Sequence, residues 1–182
     1  MTTPIAESRA ALAAVRREEW ITLGVILVGA AAIRLFYLGQ PMRNDEAYSY
    51  LYFALPGLRT AVSDYAVPNN HIFHTVLVWS ATQLFGHGPE VIRLPVLIAG
   101  LFAVVAVWLA TRSLAGAGAA LFAAAVSAAL PAMILYSTNA RAYMIICLGT
   151  MLLIWIGSRM LEKESLSQWA AFVVIEIGRA HV

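Results

Sequence analysis

The chain has 182 residues, of which 61% are hydrophobic and only 12% charged, and its mean hydropathy is +0.76. Soluble domains run about 45–50% apolar and about 25% charged, which excludes a soluble globular enzyme and a disordered tail. A formal net charge of +2 is too small to hold a polyanion, so a nucleic-acid partner is excluded as well.

The first segment, 1–19, is polar and alanine-rich, with Arg9, Arg16 and Arg17 among Glu7, Glu18 and Glu19. It is predicted to be a cytoplasmic lead-in to the membrane. A signal peptide would place a shorter apolar core before a small-residue cleavage site, whereas the run over 20–39 is about twenty residues long and spans. Arg34 lies near the far end of that run and is expected to snorkel toward the headgroups.

Further apolar stretches cover 72–85, 91–110, 117–136 and 143–157, and a last one begins at Trp169. Including 20–39, four are long enough to cross about 30 Å of hydrocarbon. The stretch over 72–85 is short for a span and fits a re-entrant or interfacial helix at least as well. The single cysteine, Cys147, and the nearby methionines read as packing or lipid contacts. With no repeat or linker, 20–176 reads as one membrane domain. The final six residues, 177–182, resemble a reading frame of a library adapter, so the expectation is a non-native tail on the N-terminal part of a longer protein.

The basic N-terminus places Met1 in the cytoplasm and the polar segment 40–70 outside. If 72–85 crosses, basic residues divide five inside and five outside. If it does not, they divide six against four, which the positive-inside rule favours. The second topology puts Arg141 on the same face as Asp45.

Three polar clusters lie in the outer loops. In Arg43-Asn44-Asp45-Glu46, Asn44 or Asp45 is positioned to cap a helix with Glu46 in its first turn. Behind them Ala47, Tyr48, Leu51, Tyr52 and Leu55 form an apolar stripe that ends at Pro56-Gly57, which reads as an interfacial helix. A carboxylate at its start, at lipid-phosphate depth, suits a general base for a hydroxyl acceptor; the alternative is a capped helix without chemistry.

In Tyr65-Ala66-Val67-Pro68-Asn69-Asn70-His71, Asn70 is the expected N-cap of the next helix, whose N-terminus would attract a phosphate. His71 and His74 share a helix face and, with Asp45 or Glu46, make a candidate divalent-metal site; otherwise they simply hydrogen-bond. In Tyr136-Ser137-Thr138-Asn139-Ala140-Arg141-Ala142-Tyr143, Arg141 is either a loop charge between belt aromatics or a phosphate partner. Arg93 beside Pro95 is a second phosphate candidate, or a snorkelling side chain.

The succession of Asp45-Glu46-Ala47-Tyr48, Pro68-Asn69-Asn70-His71, Leu84-Phe85-Gly86, Arg93-Leu94-Pro95 and the 136–143 loop resembles the N-terminal part of bacterial GT-C membrane glycosyltransferases. That group includes protein O-mannosyltransferase-like and aminoarabinose lipid A transferase-like enzymes. The resemblance implies an all-α, polytopic membrane fold and inverting sugar transfer on the outer face of the bacterial cytoplasmic membrane. It implies a polyprenyl-phosphate-linked sugar donor and a lipid, glycan or protein acceptor, with membrane lipids as surroundings. By the same resemblance, Asp45 matches the general base and Glu46 its acidic companion. Arg141 matches the cation facing the donor phosphate, and His71 a basic residue before a proline position that Ile72 fills here. Asn70 and Tyr143 flank these as candidate substrate-binding residues. GT-C sites also use later spans, so the segment alone is expected to be inactive. The competing reading is a polytopic transporter or a non-catalytic subunit, but transporters place ionisable groups near the bilayer midplane rather than in loops.

Overall fold

The computed structural model describes residues 16–65, 69–163 and 165–180, and every regular element in them is helical. Residues 1–15 of the predicted lead-in, 66–68, 164 and the last two residues of the expected tail lie outside that description. The helices are α1 (Arg17–Leu38), α2 (Asn44–Ser49), α3 (Leu58–Ser63), α4 (Ile72–Phe85), α5 (Pro89–Ala115), α6 (Ala117–Ala129), α7 (Pro131–Ser137), α8 (Tyr143–Met160) and α9 (Leu166–Ala180). Helix α2 runs on through a π-helical turn over Tyr50–Ala54.

Helices α1, α5 and α8 are each long and apolar enough to cross a membrane. Helix α5 packs at the centre. Against α1 and α6 it forms a core of Leu23, Ala30, Val104 and Trp108 with Ala120, Ala124 and Ala128. Those three alanines recur every fourth residue, and small residues on one face let the helix backbones approach closely. On its other side α5 meets α8 through Val96, Ala99, Ala103 and Met144. At the end away from the loop clusters, Arg112 of α5 bonds Glu19 of α1 at 2.9 Å and lies over the Trp108 ring.

The stretch expected to be one span over 117–136 is instead two helices bent by 61°. Leu130 is extended because a residue before proline is pushed out of the helical region, and Pro131 starts α7 without an N–H to continue α6. The carbonyl this leaves at Ala128 accepts a hydrogen bond from Arg34 Nη1 at 3.0 Å. Arg34 therefore does not snorkel. It is wholly buried between α1, α6 and α7.

Helix α4 has the predicted bounds, 72–85, and does not carry the chain across the bundle. His71 at its start faces Arg141, and His87 just past its end bonds the Tyr50 hydroxyl at 2.6 Å. The far end of α4 is thus tied to the π turn directly, and its start to α2 through Arg141, whose Nη1 donates to Ser49. At 1.5 Å per residue its fourteen residues span about 21 Å, short of a bilayer core.

Candidate active site

The loop clusters converge at one end of the bundle, and a buried ion pair organises them. Glu46 and Arg93 are both fully buried and meet in a two-pronged contact, Nε to Oε1 and Nη2 to Oε2, each 2.8 Å. Arg93 also donates to the carbonyls of Leu38, Gln40 and Pro41, which hold the exit of α1. Glu46 also accepts from the backbone N–H of Arg43 at 3.0 Å and of Ala140 at 2.6 Å. One carboxylate thereby joins the start of α2, the start of α5 and the loop before α8. Burial alone would raise its pKa, but the Arg93 hydrogen bonds and the two N–H groups outweigh that and hold it below the ordinary glutamate value. Arg93 is neither a snorkelling side chain nor a free phosphate partner, because its donors are taken up by Glu46 and three carbonyls.

The start of α2 differs in detail from the expected cap. Arg43 is the capping position and the helix begins at Asn44; the carboxylate that reaches back to the cap is that of Glu46. Asp45, next to it, is left facing outward. Its side chain is 45% exposed, and Oδ1 accepts only the N–H of Glu46, at 3.0 Å.

Arg141 lies beneath Asp45, 7% exposed, with Nε 3.8 Å from Asp45 Oδ2. The topology with both residues on one face is the one found. Arg141 Nη1 donates to Ser49 Oγ at 3.1 Å and Nη2 lies 3.3 Å from His71 Nε2. Its Nε is buried without a hydrogen-bond partner. Tyr143 brings its ring under the guanidinium at 5.8 Å, and packs against Tyr136 and His71.

Asp45, Arg141, His71 and Tyr143 thus come together, with Ser49 as a fifth member. Ser49 gave no signal in the sequence beyond its place one helical turn after Asp45 and Glu46. Asn70 stands apart. The capping position of α4 is His71, and Asn70 instead braces the loop, donating to the carbonyls of Ala61 and Asp64 and accepting from Thr75 Oγ1, each at 2.9 Å.

His74 points the other way from His71, into the core, and lines a cavity of about 10 Å³ with Glu46, Ser49, Tyr50 and Thr75, room for about one water. The two histidines do not form a metal site. One is buried, the other faces a guanidinium, and among the described residues no three His, Cys, Asp or Glu side chains converge. The ligand number that a structural or catalytic divalent ion needs is not met.

The all-helical bundle of the described residues, with three helices long and apolar enough to cross a membrane, is a membrane fold of GT-C type. A family model described as dolichyl-phosphate-mannose-protein mannosyltransferase matches residues 69–180, and the chain belongs to that family. The match includes His71, His74, Arg93 and Arg141; Asp45 and Glu46 precede it. No curated protein and no solved structure matches the chain. The protein is accordingly a multi-pass membrane protein of mannosyltransferase type.

Proposed function

We propose that the Asp45–Arg141 pair is the catalytic centre of an inverting transfer from a polyprenyl-phosphate-linked sugar to a hydroxyl acceptor. The site would lie on the outer face of the bacterial cytoplasmic membrane, with the N-terminus inside. The observation that carries the reading is the contrast between neighbouring carboxylates: Glu46 is buried with its oxygens taken, whereas Asp45 is open and next to a cation.

In this scheme the acceptor oxygen attacks the anomeric carbon while Asp45 takes the hydroxyl proton. The bond from that carbon to the phosphate oxygen breaks, and its electron pair leaves with the polyprenyl phosphate. Attack by the acceptor itself, without an enzyme nucleophile, inverts the anomeric centre once. Arg141 offsets the negative charge that gathers on the departing phosphate, and its desolvated surroundings make that charge count for more than in water. Glu46 acts through structure, holding the Arg141 loop against α2. His71, Ser49 and Tyr143 orient the guanidinium. Mannose or another hexose, or a pentose, is the transferred group, and the acceptor is a lipid, glycan or protein.

The test is made in the full-length gene product. Asp45→Asn is expected to lower transfer by about 10²–10⁴-fold, the usual range for loss of a general base, with donor binding retained. Arg141→Gln is expected to raise KM for the donor. Near-normal transfer by Asp45→Asn removes that residue from the chemistry.

A further inference from the structure

Arg34 occupies a setting that its place in a membrane helix does not explain. It is 0% exposed, and among the described residues no acidic side chain pairs with it. Nη1 donates to Ala30 O at 3.1 Å and to Ala128 O at 3.0 Å, and Nε donates to Ser137 Oγ at 3.1 Å. Nη2 is buried with no partner. A buried cation without a counter-ion destabilises a fold, and an apolar side chain of similar volume is often as good or better there. The helix C-terminus of α6 recovers part of that loss, since a cation is favoured beside its free carbonyls.

What the residue does is visible from α7. That helix has seven residues, and only Ser137, its last, is fully buried. Met133 packs on the α5–α8 core, and the remaining side chains of α7 are half-buried or exposed. Ser137 sits directly on the backbone of Gly100 in α5, where any added side chain would collide with it, and there Arg34 holds it. The next residues form the loop that carries Arg141. Gln40 donates to Thr138 O at 3.1 Å and Glu46 accepts from Ala140 N at 2.6 Å. The loop is thus tied at three successive places, and the Arg34 tie is the one that joins it to the break between α6 and α7.

We infer that Arg34 is a positioning residue for sugar transfer: by clamping the end of α7 it sets where Arg141 meets the donor phosphate. The inference rests on the donor-side reading of Arg141. Asn139 is 4% exposed and lies between two of the ties, so its accessibility reports directly on the loop. In a chain with Cys147 replaced by alanine and Asn139 by cysteine, maleimide labelling in membranes is compared with and without Arg34→Met. Loss of a hydrogen bond from a charged donor is expected to speed labelling about ten-fold or more. In the full-length protein Arg34→Met is expected to raise donor KM, and to add nothing to Arg141→Gln when the two are combined, because both act through one group. Should Arg34→Met fail to insert, Ser137→Ala removes the hydroxyl that accepts from Arg34, together with its own bond to the Met133 carbonyl, and carries the same comparison. Unchanged labelling overturns the inference, and so does an unmoved KM in Arg34→Met where Arg141→Gln raises it. If Arg141→Gln itself leaves KM unmoved, the donor-side reading falls and the Arg34 inference with it, even where labelling accelerates.

Discussion

Among single residues, His71 and His74 separate most sharply from what their spacing suggested. Three residues apart on one helix, they share a face in projection, but α4 lies flat on the core and the two rings divide. His71 takes the site side beside Arg141, while His74 is buried behind Glu46 and Ser49. Burial pushes His74 down to about 3, with the charges of His71 and Arg141 adding to the effect and that of Glu46 opposing it. It stays neutral in the fold down to about that value. An unfolded histidine takes up a proton near pH 6.5, so its contribution to stability is fully present above that pH. It is lost as pH falls from there toward 3, with a slope of about 1.4 kcal/mol per pH unit for one proton. Unfolding midpoints in detergent between pH 4 and 7 are expected to fall more steeply for the wild-type chain than for His74→Gln; parallel profiles would place the proton elsewhere. Asp45 and Arg141 needed no such help to be singled out. A carboxylate at a helix start and an arginine between belt tyrosines are local patterns; in the fold Asp45 stays half-exposed, with Arg141 buried beneath it.

The elements show why other residues were misread. Sequence position alone gives Arg34 and Arg93 a membrane depth and no partner, and for a lone arginine near a helix end the default is snorkelling. Their partners are 103 and 47 residues away, Ser137 for one and Glu46 for the other. No local spacing carries that information. The bounds of α4 were legible to the residue because Asn70-His71 and Gly86 punctuate an apolar run. The break at Pro131 leaves no trace in hydropathy, because the apolar run continues on both sides of it. The Glu46–Arg93 pair is also an element-scale determinant of stability, since it ties α2, α5 and the Arg141 loop together beside the apolar contacts of Tyr50, Ile92 and Ala140. Replacing Glu46 by alanine leaves Arg93 buried and unpaired, a change that costs about 3–5 kcal/mol in comparable pairs. Adding Arg93→Met is expected to restore only part of this, because the carbonyls of Leu38, Gln40 and Pro41 then lose their donors. Full recovery by the double variant in thermal unfolding would show that the carbonyl contacts contribute nothing. The wild-type pair itself should persist well into acid: Glu46 titrates below its ordinary value, so its contribution is lost only as pH falls through that lowered value.

At the scale of the molecule, the site exists because an even number of crossings separates Asp45 from Arg141. Helix α5 leaves the site end with Arg93 near its start, and α6 with α7 returns to it, so the loop before α8 arrives beside α2. Counting basic residues favours this arrangement by six against four, a thin margin that the two ends of α4 decide: His87 bonds Tyr50 in the π turn, and His71 faces Arg141, which itself bonds Ser49 of α2. A consequence is that exposed positions divide into two sets. Tyr65 and Tyr136 belong to the site end, whereas Leu114 at the end of α5 and Leu161 past the end of α8 belong to the other, and all four are exposed enough to label. In a chain without Cys147, single cysteines at positions 65 and 136 should react with an impermeant thiol reagent from one side of sealed vesicles. Those at 114 and 161 should react only when the vesicles are opened or inverted. Opposite sidedness for 65 and 136 would mean that α4 crosses the membrane. The acid and the cation would then stand on opposite faces, and no donor phosphate could meet both.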